Sequence, residues 1–128
     1  VLAEQQQAVP EVAYASELTY QAGKAAMAQL LQHGQRPDAV FAVSDTLAAG
    51  AIATLREAGI RVPEETAVIG FDGTELGHLT SPPLSTIEQP SQEIGRQAVL
   101  LLLNNINDPD SQAQHTTPAW RYLARGSA

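Results

Sequence analysis

Asp72 stands where a short apolar run, Ala67-Val68-Ile69-Gly70-Phe71, gives way to the turn formers Gly73-Thr74-Glu75. An ionised carboxylate accepts several hydrogen bonds and can take two at once from neighbouring hydroxyls. At the carboxyl end of a strand it lies where open α/β sheets hold their ligands. The same carboxylate could instead close the Gly73-Thr74-Glu75 turn by accepting its amides. A second polar pair, Ser44-Asp45, follows the run Ala39 to Val43 and opens a helical pattern. Either side chain can satisfy the free amides of that helix, and the role assigned to Asp45 is mainly this capping. Other reactive residues do not assemble. His33, His78 and His115 stand apart from any nucleophile elbow, metal-ligand spacing or Gly-rich phosphate loop. Glu64-Glu65 follows Pro63 ahead of a strand, the setting of a solvated turn. No catalytic residue, metal ligand or cofactor is expected.

The elements that must position Asp72 are legible around it. Gly59 ends a helix running from Thr46 to Ala58, because glycine adopts the left-handed conformation of a helix end without steric cost, and Pro63 keeps the helix from resuming. The apolar run from Ala67 to Phe71 does not alternate, which predicts a strand covered on both faces of a parallel sheet. Pro82-Pro83 restrict the backbone before a further extended piece, Leu84 to Ile87. Strands are also expected near Glu11 to Ala15 and Ala39 to Val43, and helices over Thr19 to Gln32 and Ser91 to Ile106, the last with Ser91 as N-cap. Asn107-Asp108-Pro109-Asp110-Ser111 reads as an exposed turn, and Pro118 to Ala124 as a final extended stretch. Alternating strands and helices predict an α/β fold, a parallel sheet with right-handed crossovers and helices on both faces. In the helix from Thr46, Leu47, Ala51 and Leu55 share one stripe while Ala49, Ile52 and Ala53 share another.

Several ordered runs resemble one family. They are Pro37-Asp38-Ala39-Val40-Phe41-Ala42-Val43-Ser44-Asp45, Leu47-Ala48-Ala49-Gly50-Ala51, Leu55-Arg56-Glu57-Ala58-Gly59 with the strand ending at Asp72, Pro82 to Pro90, and Arg121 to Ala128. Together they are similar to the late part of the effector-binding domain of the lactose and galactose repressor (LacI/GalR) family of bacterial transcription regulators. The resemblance is close from Glu17 to Ile106 and looser at the ends. It implies a periplasmic-binding-protein-like (type I) fold. Residues 1–88 would form one subdomain, incomplete at its start. Residues 89–107 would be a crossover helix of the other subdomain, and residues 108–128 a returning segment.

The resemblance further implies that Asp72 binds a small-molecule effector, a sugar or related compound. Ser44 stands where relatives often carry an asparagine whose amide reaches the ligand, so the shorter hydroxyl either keeps that contact or only caps. Leu18 matches a position where many relatives stack an aromatic ring on the effector; leucine can cover but not stack. Gln89 matches a crossover position near the cleft, where it could equally satisfy backbone. Ala49, Ile52 and Ala53, with the loop matching His78, Leu79 and Thr80, correspond to a homodimer interface, though the small residues could instead permit close helix packing within one chain. Paired subunits would suit the symmetric half-sites of operator DNA.

Composition sets the outer limits. With 128 residues, 44% of them hydrophobic, the chain can bury one core. A formal charge of -7 with seven scattered Lys and Arg argues against DNA binding by this segment, so operator contact falls to a helix-turn-helix head absent from the chain. Val1 to Gln7 reads as the tail of a helix already under way, which suggests a fragment. The apolar run Ala98 to Leu103 is far short of the ~20 residues of a membrane helix. The absence of cysteine fits a reducing cytoplasm, the expected location. The alternative reading is a fragment of a periplasmic sugar-binding transport receptor, built on the same two-lobed cleft. The stripe Ile94, Ala98, Leu101 and Leu102 needs cover from elsewhere and predicts self-association.

Overall fold

The computed structural model describes residues 11–32, 34, 36–108, 112 and 114–128. Val1 to Gln7, His33 and Pro109 to Ser111 lie outside them. In chain order the elements are α1 (Tyr20–Gln32), β1 (Ala39–Phe41), α2 (Asp45–Glu57), β2 (Ala67–Asp72), α3 (Leu76–Leu79), β3 (Ser85–Glu88), α4 (Ser91–Asn107) and β4 (Arg121–Leu123). The sheet order is β1-β2-β3-β4. The first three strands are parallel, with Val40 beside Val68 and Ile69 beside Ser85, as the alternation predicts. β4 enters antiparallel, Tyr122 opposite Ile87, and makes the sheet mixed.

Local chemistry explains the α2 boundaries. Ser44 is extended, and its hydroxyl accepts the Leu47 amide at 3.2 Å. At the other end Gly59 takes φ 75°. Its amide returns to the Arg56 carbonyl while the Ile60 amide returns to Leu55, which satisfies two otherwise orphaned carbonyls. The cap is therefore Ser44, and Asp45 is the first residue of the helix. Two other expectations need correcting. Ser91 begins α4 without capping it; Pro90 occupies the N-cap position. The run from Glu11 to Ala15 forms no strand, and Val12 and Tyr14 are exposed. An extended run becomes a strand only beside a neighbour that shares its amides, and the described sheet ends at β1.

The core lies between α2 and one sheet face, where Met27, Ala48, Ala51, Ile52, Leu55, Val68 and Leu84 cluster. Along β2 the burial alternates. Val68 and Gly70 are buried, whereas Ile69 and Phe71 on the opposite face are only half-buried. There Phe71 meets Phe41 edge to face, centroids 6.3 Å apart. The C-terminal run ties the strands at their start: the Ser127 hydroxyl donates to the Val68 carbonyl at 2.6 Å and accepts the Ser85 amide at 2.8 Å.

α1 packs along α2, and this changes the reading of the second α2 stripe. Ala49 is 6% exposed and Ile52 only 2%, so the chain's own fold covers them and they are not presented to a second subunit. Gly23 and Gly50 explain the close approach. A methyl group at Gly50 would collide with the Tyr20 carbonyl oxygen and lie 2.7 Å from the Lys24 nitrogen. Because those atoms are backbone, α1 itself would have to move. Gly50→Ala is expected to cost about 1–3 kcal/mol despite alanine's better helix propensity, read as a lower thermal midpoint of the intact polypeptide. An unchanged midpoint would mean that the two helices are not locked by this contact.

α4 stands apart. None of its residues is buried, and Ile94, Val99, Leu100, Leu102, Leu103 and Ile106 are all exposed. Apolar area of this extent favours association. The isolated 128-residue chain is expected to sediment faster as its concentration rises, and Leu102→Glu to weaken that trend. A monomer at every concentration would show that the stripe drives no self-contact.

Candidate functional site

Three parallel strands bring their carboxyl ends to one side of the sheet, and the polar candidates collect there. Asp72 ends β2 and Gln89 directly follows β3. The Gln89 side-chain amide donates to Asp72 Oδ1 at 2.8 Å, and its backbone amide to the Asp72 carbonyl at 3.3 Å. Asp72 has φ 117°. A non-glycine residue in that region carries strain of about 1–3 kcal/mol, and such strain concentrates where a side chain must be aimed. Closing the turn does not account for it. The Thr74 amide donates instead to Asp45 Oδ2, at 2.6 Å. Gly73, at φ 76°, lies so close over β3 that an added Cβ would sit 2.7 Å from the Glu88 Cα. Next to it Glu88 pairs with Arg121 across the β3–β4 ladder, 2.6 Å apart.

Ser44 follows β1 at the same sheet end, but it is 4% exposed and its oxygen is engaged by the α2 cap. Leu18, 65% exposed, precedes Thr19, whose hydroxyl accepts the Ala22 amide at the start of α1. So Leu18 is not simply packed at a helix start. The structure thus joins Asp72 with Gln89, buries Ser44 in the cap of α2 and leaves Leu18 exposed ahead of α1. Of the remaining interface candidates, Ala53 and Thr80 are half-buried while His78 and Leu79 are exposed. Arg125 fixes their loop by donating to the Leu84 carbonyl at 2.9 Å and to His78 Nε2 at 3.0 Å.

Reading the sequence gave Asp45 a capping role and missed that it unites this end of the sheet. Asp45 is fully buried. Its carboxylate accepts from the Thr74 amide, the Thr74 hydroxyl at 2.9 Å and the Thr86 hydroxyl at 2.5 Å. The signal that could have found it was Gly70, a glycine in mid-strand where a buried strand ordinarily carries a side chain. An added Cβ at Gly70 would lie 2.5 Å from Asp45 Oδ1.

Among the described residues no group of three or more His, Cys, Asp or Glu is placed to hold a metal ion, and no helix is long and apolar enough to cross a membrane. What the arrangement offers is an aimed carboxylate beside an amide, acceptors and a donor suited to hydroxyl groups.

The sequence profile of the periplasmic binding protein-like domain matches residues 2–128. The chain belongs to the periplasmic binding protein-like domain family. Relatives that it matches include transcriptional regulators. The HTH-type transcriptional repressor CytR of Escherichia coli is 44% identical over 114 residues, which cover 89% of this chain and 32% of the repressor. The transcriptional regulator CelR, solved in complex with cellobiose, superposes with a TM-score of 0.90 at 32% identity, covering 99% of this chain and 39% of CelR. A LacI family transcriptional regulator from Arthrobacter sp. FB24, solved in complex with lactose, gives a TM-score of 0.82 at 38% identity over 98% of this chain and 46% of that one. The resemblance carried by the ordered runs is therefore borne out. This periplasmic binding protein-like domain spans about a third of the length of the curated relatives it matches.

Proposed function

We propose that this chain is the effector-binding and dimerisation part of a LacI-type transcriptional regulator that acts in the cytoplasm and has no enzymatic activity. Effector, a sugar or related small molecule, is held by Asp72 and Gln89 at the carboxyl ends of β2 and β3, with Ser44 behind them and Leu18 at the margin. The observation that carries this reading is Asp72 at φ 117°, its carboxylate bonded to Gln89 and not spent on its own turn. The 44% identity to a repressor favours the regulator over a transport receptor. Residues 1–88 and 108–128 belong to one subdomain and residues 89–107 to the other; the wholly unburied α4 supports that division. Two copies meet through the loop of His78, Leu79 and Thr80 together with Ala53. Effector favours one arrangement of the subdomains, and the choice reaches operator DNA through a helix-turn-helix head carried elsewhere in the polypeptide.

The test is calorimetric titration of the intact polypeptide and its Asp72→Asn variant with ribose, lactose and cellobiose, extended to further sugars and nucleosides. The reading expects one compound to bind the parent and to bind the variant more weakly. Equal affinity for both would remove Asp72 from the site.

A further inference from the structure

We propose that Asp45 is a positioning residue for the effector site: its buried carboxylate sets the turn after β2, and through that turn the direction of Asp72. The inference rests on the assignment of Asp72 and Gln89 to the effector, since only then does their orientation matter to binding.

Three separate parts of the chain converge on this one carboxylate. Asp45 is the first residue of α2, where a negative group is favoured by the helix's free amides. Oδ2 takes both the amide and the hydroxyl of Thr74, two residues beyond Asp72. Oδ1 takes the hydroxyl of Thr86 on β3, three residues before Gln89. The two halves of the Asp72–Gln89 pair are thus referenced to a single fully buried anchor. Each donor bonded to it is neutral, so the anchor holds by geometry rather than by an ion pair, and a buried carboxylate that lost a donor would keep its desolvation cost uncompensated. Gly70 completes the device, because the carboxylate lies in the space that a side chain at that position would fill. Gly73 alone separates Asp72 from Thr74 and lies close over Glu88, so the bonds from Thr74 to Asp45 bear directly on the Asp72 backbone. A capping role would not require this reach, and Ser44 already performs the capping.

Asp45→Asn preserves shape while replacing one acceptor oxygen by a donor that the Thr74 amide or the Thr86 hydroxyl must face. The readout is the side-chain amide resonance of Gln89 in the uniformly 15N-labelled intact polypeptide, assigned by its disappearance in Gln89→Leu. In the parent this signal should be shifted by its bond to the Asp72 carboxylate and protected from exchange. Asp45→Asn, and separately Thr86→Val, should move it to the position of a free amide while the amides of the Leu55 and Val68 core keep their shifts. Thr86→Val removes a single donor, so it keeps the test available if Asp45→Asn does not fold. Should the Gln89 signal remain as in the parent in a folded variant, Asp45 is only a structural bond and the proposal is overturned. No sugar is needed for this measurement. Failure of the effector reading would appear instead as unchanged sugar affinity in Asp72→Asn, with the Gln89 response to Asp45→Asn intact.

Discussion

Asp72→Ala is expected to weaken effector binding roughly ten- to a hundredfold, the consequence of losing a charged acceptor worth about 1.5–3 kcal/mol. The stability of the fold should respond differently, and the difference separates function from structure. At φ 117° an L-residue carries a penalty of about 1–3 kcal/mol that glycine escapes. Asp72→Gly should therefore be more stable than Asp72→Ala by about that amount, while both lose the effector to a similar degree. Thermal unfolding and calorimetry on the two variants check this together. If Asp72→Gly were the less stable of the pair, the backbone at this position would not be strained in solution. If both bound effector as the parent does, the carboxylate would be a bystander. With both expected results, Asp72 would be a residue kept at a cost to the fold because its side chain is needed where it points.

Leu55→Ala should have the largest effect on stability, about 2–5 kcal/mol. Leu55 is fully buried in the cluster with Met27, Ile52, Val68 and Leu84, so removing its side chain leaves a cavity between α2 and the sheet. Its backbone also receives the Ile60 amide, which ends the helix, so collapse of the cavity by movement of α2 would disturb the Gly59 cap. That coupling argues for the upper part of the range. A loss under about 1 kcal/mol in denaturant unfolding would mean that α2 shifts freely to fill the space, contrary to a packed core.

The features visible in the sequence were those whose cause is local. Gly59 with Pro63 marked the helix end because the left-handed residue and the missing amide act on their own neighbours. Asp72 could be placed at a strand tip because an apolar run and a turn adjoin there. The destination of the Asp45 carboxylate was hidden, since its partners Thr74 and Thr86 lie 29 and 41 residues away and Ser44-Asp45 offers two residues for one cap. Periodicity along α2 exposed two apolar stripes but could not say what covers each. Ile52 went to the core because Gly23 and Gly50 let α1 come close, and those two glycines were the available clue. The antiparallel entry of β4 depends on a partner edge across a long connection, to which no short pattern in Arg121-Tyr122-Leu123 refers. The Glu11 to Ala15 run shows the converse, an extended preference that pairs with no strand among the described residues.

Effector bound at Asp72 should be sensed as a change in DNA affinity. The most direct measurement selects DNA from a random-sequence pool with the intact polypeptide, then determines operator affinity with and without the compound that calorimetry identifies. Repeating it with Asp72→Asn completes the comparison. The compound should shift operator affinity of the parent by at least about fivefold, the lower range of allosteric coupling, and leave Asp72→Asn unmoved with its effector-free operator affinity intact. Equal operator affinity with and without bound compound in the parent would contradict it.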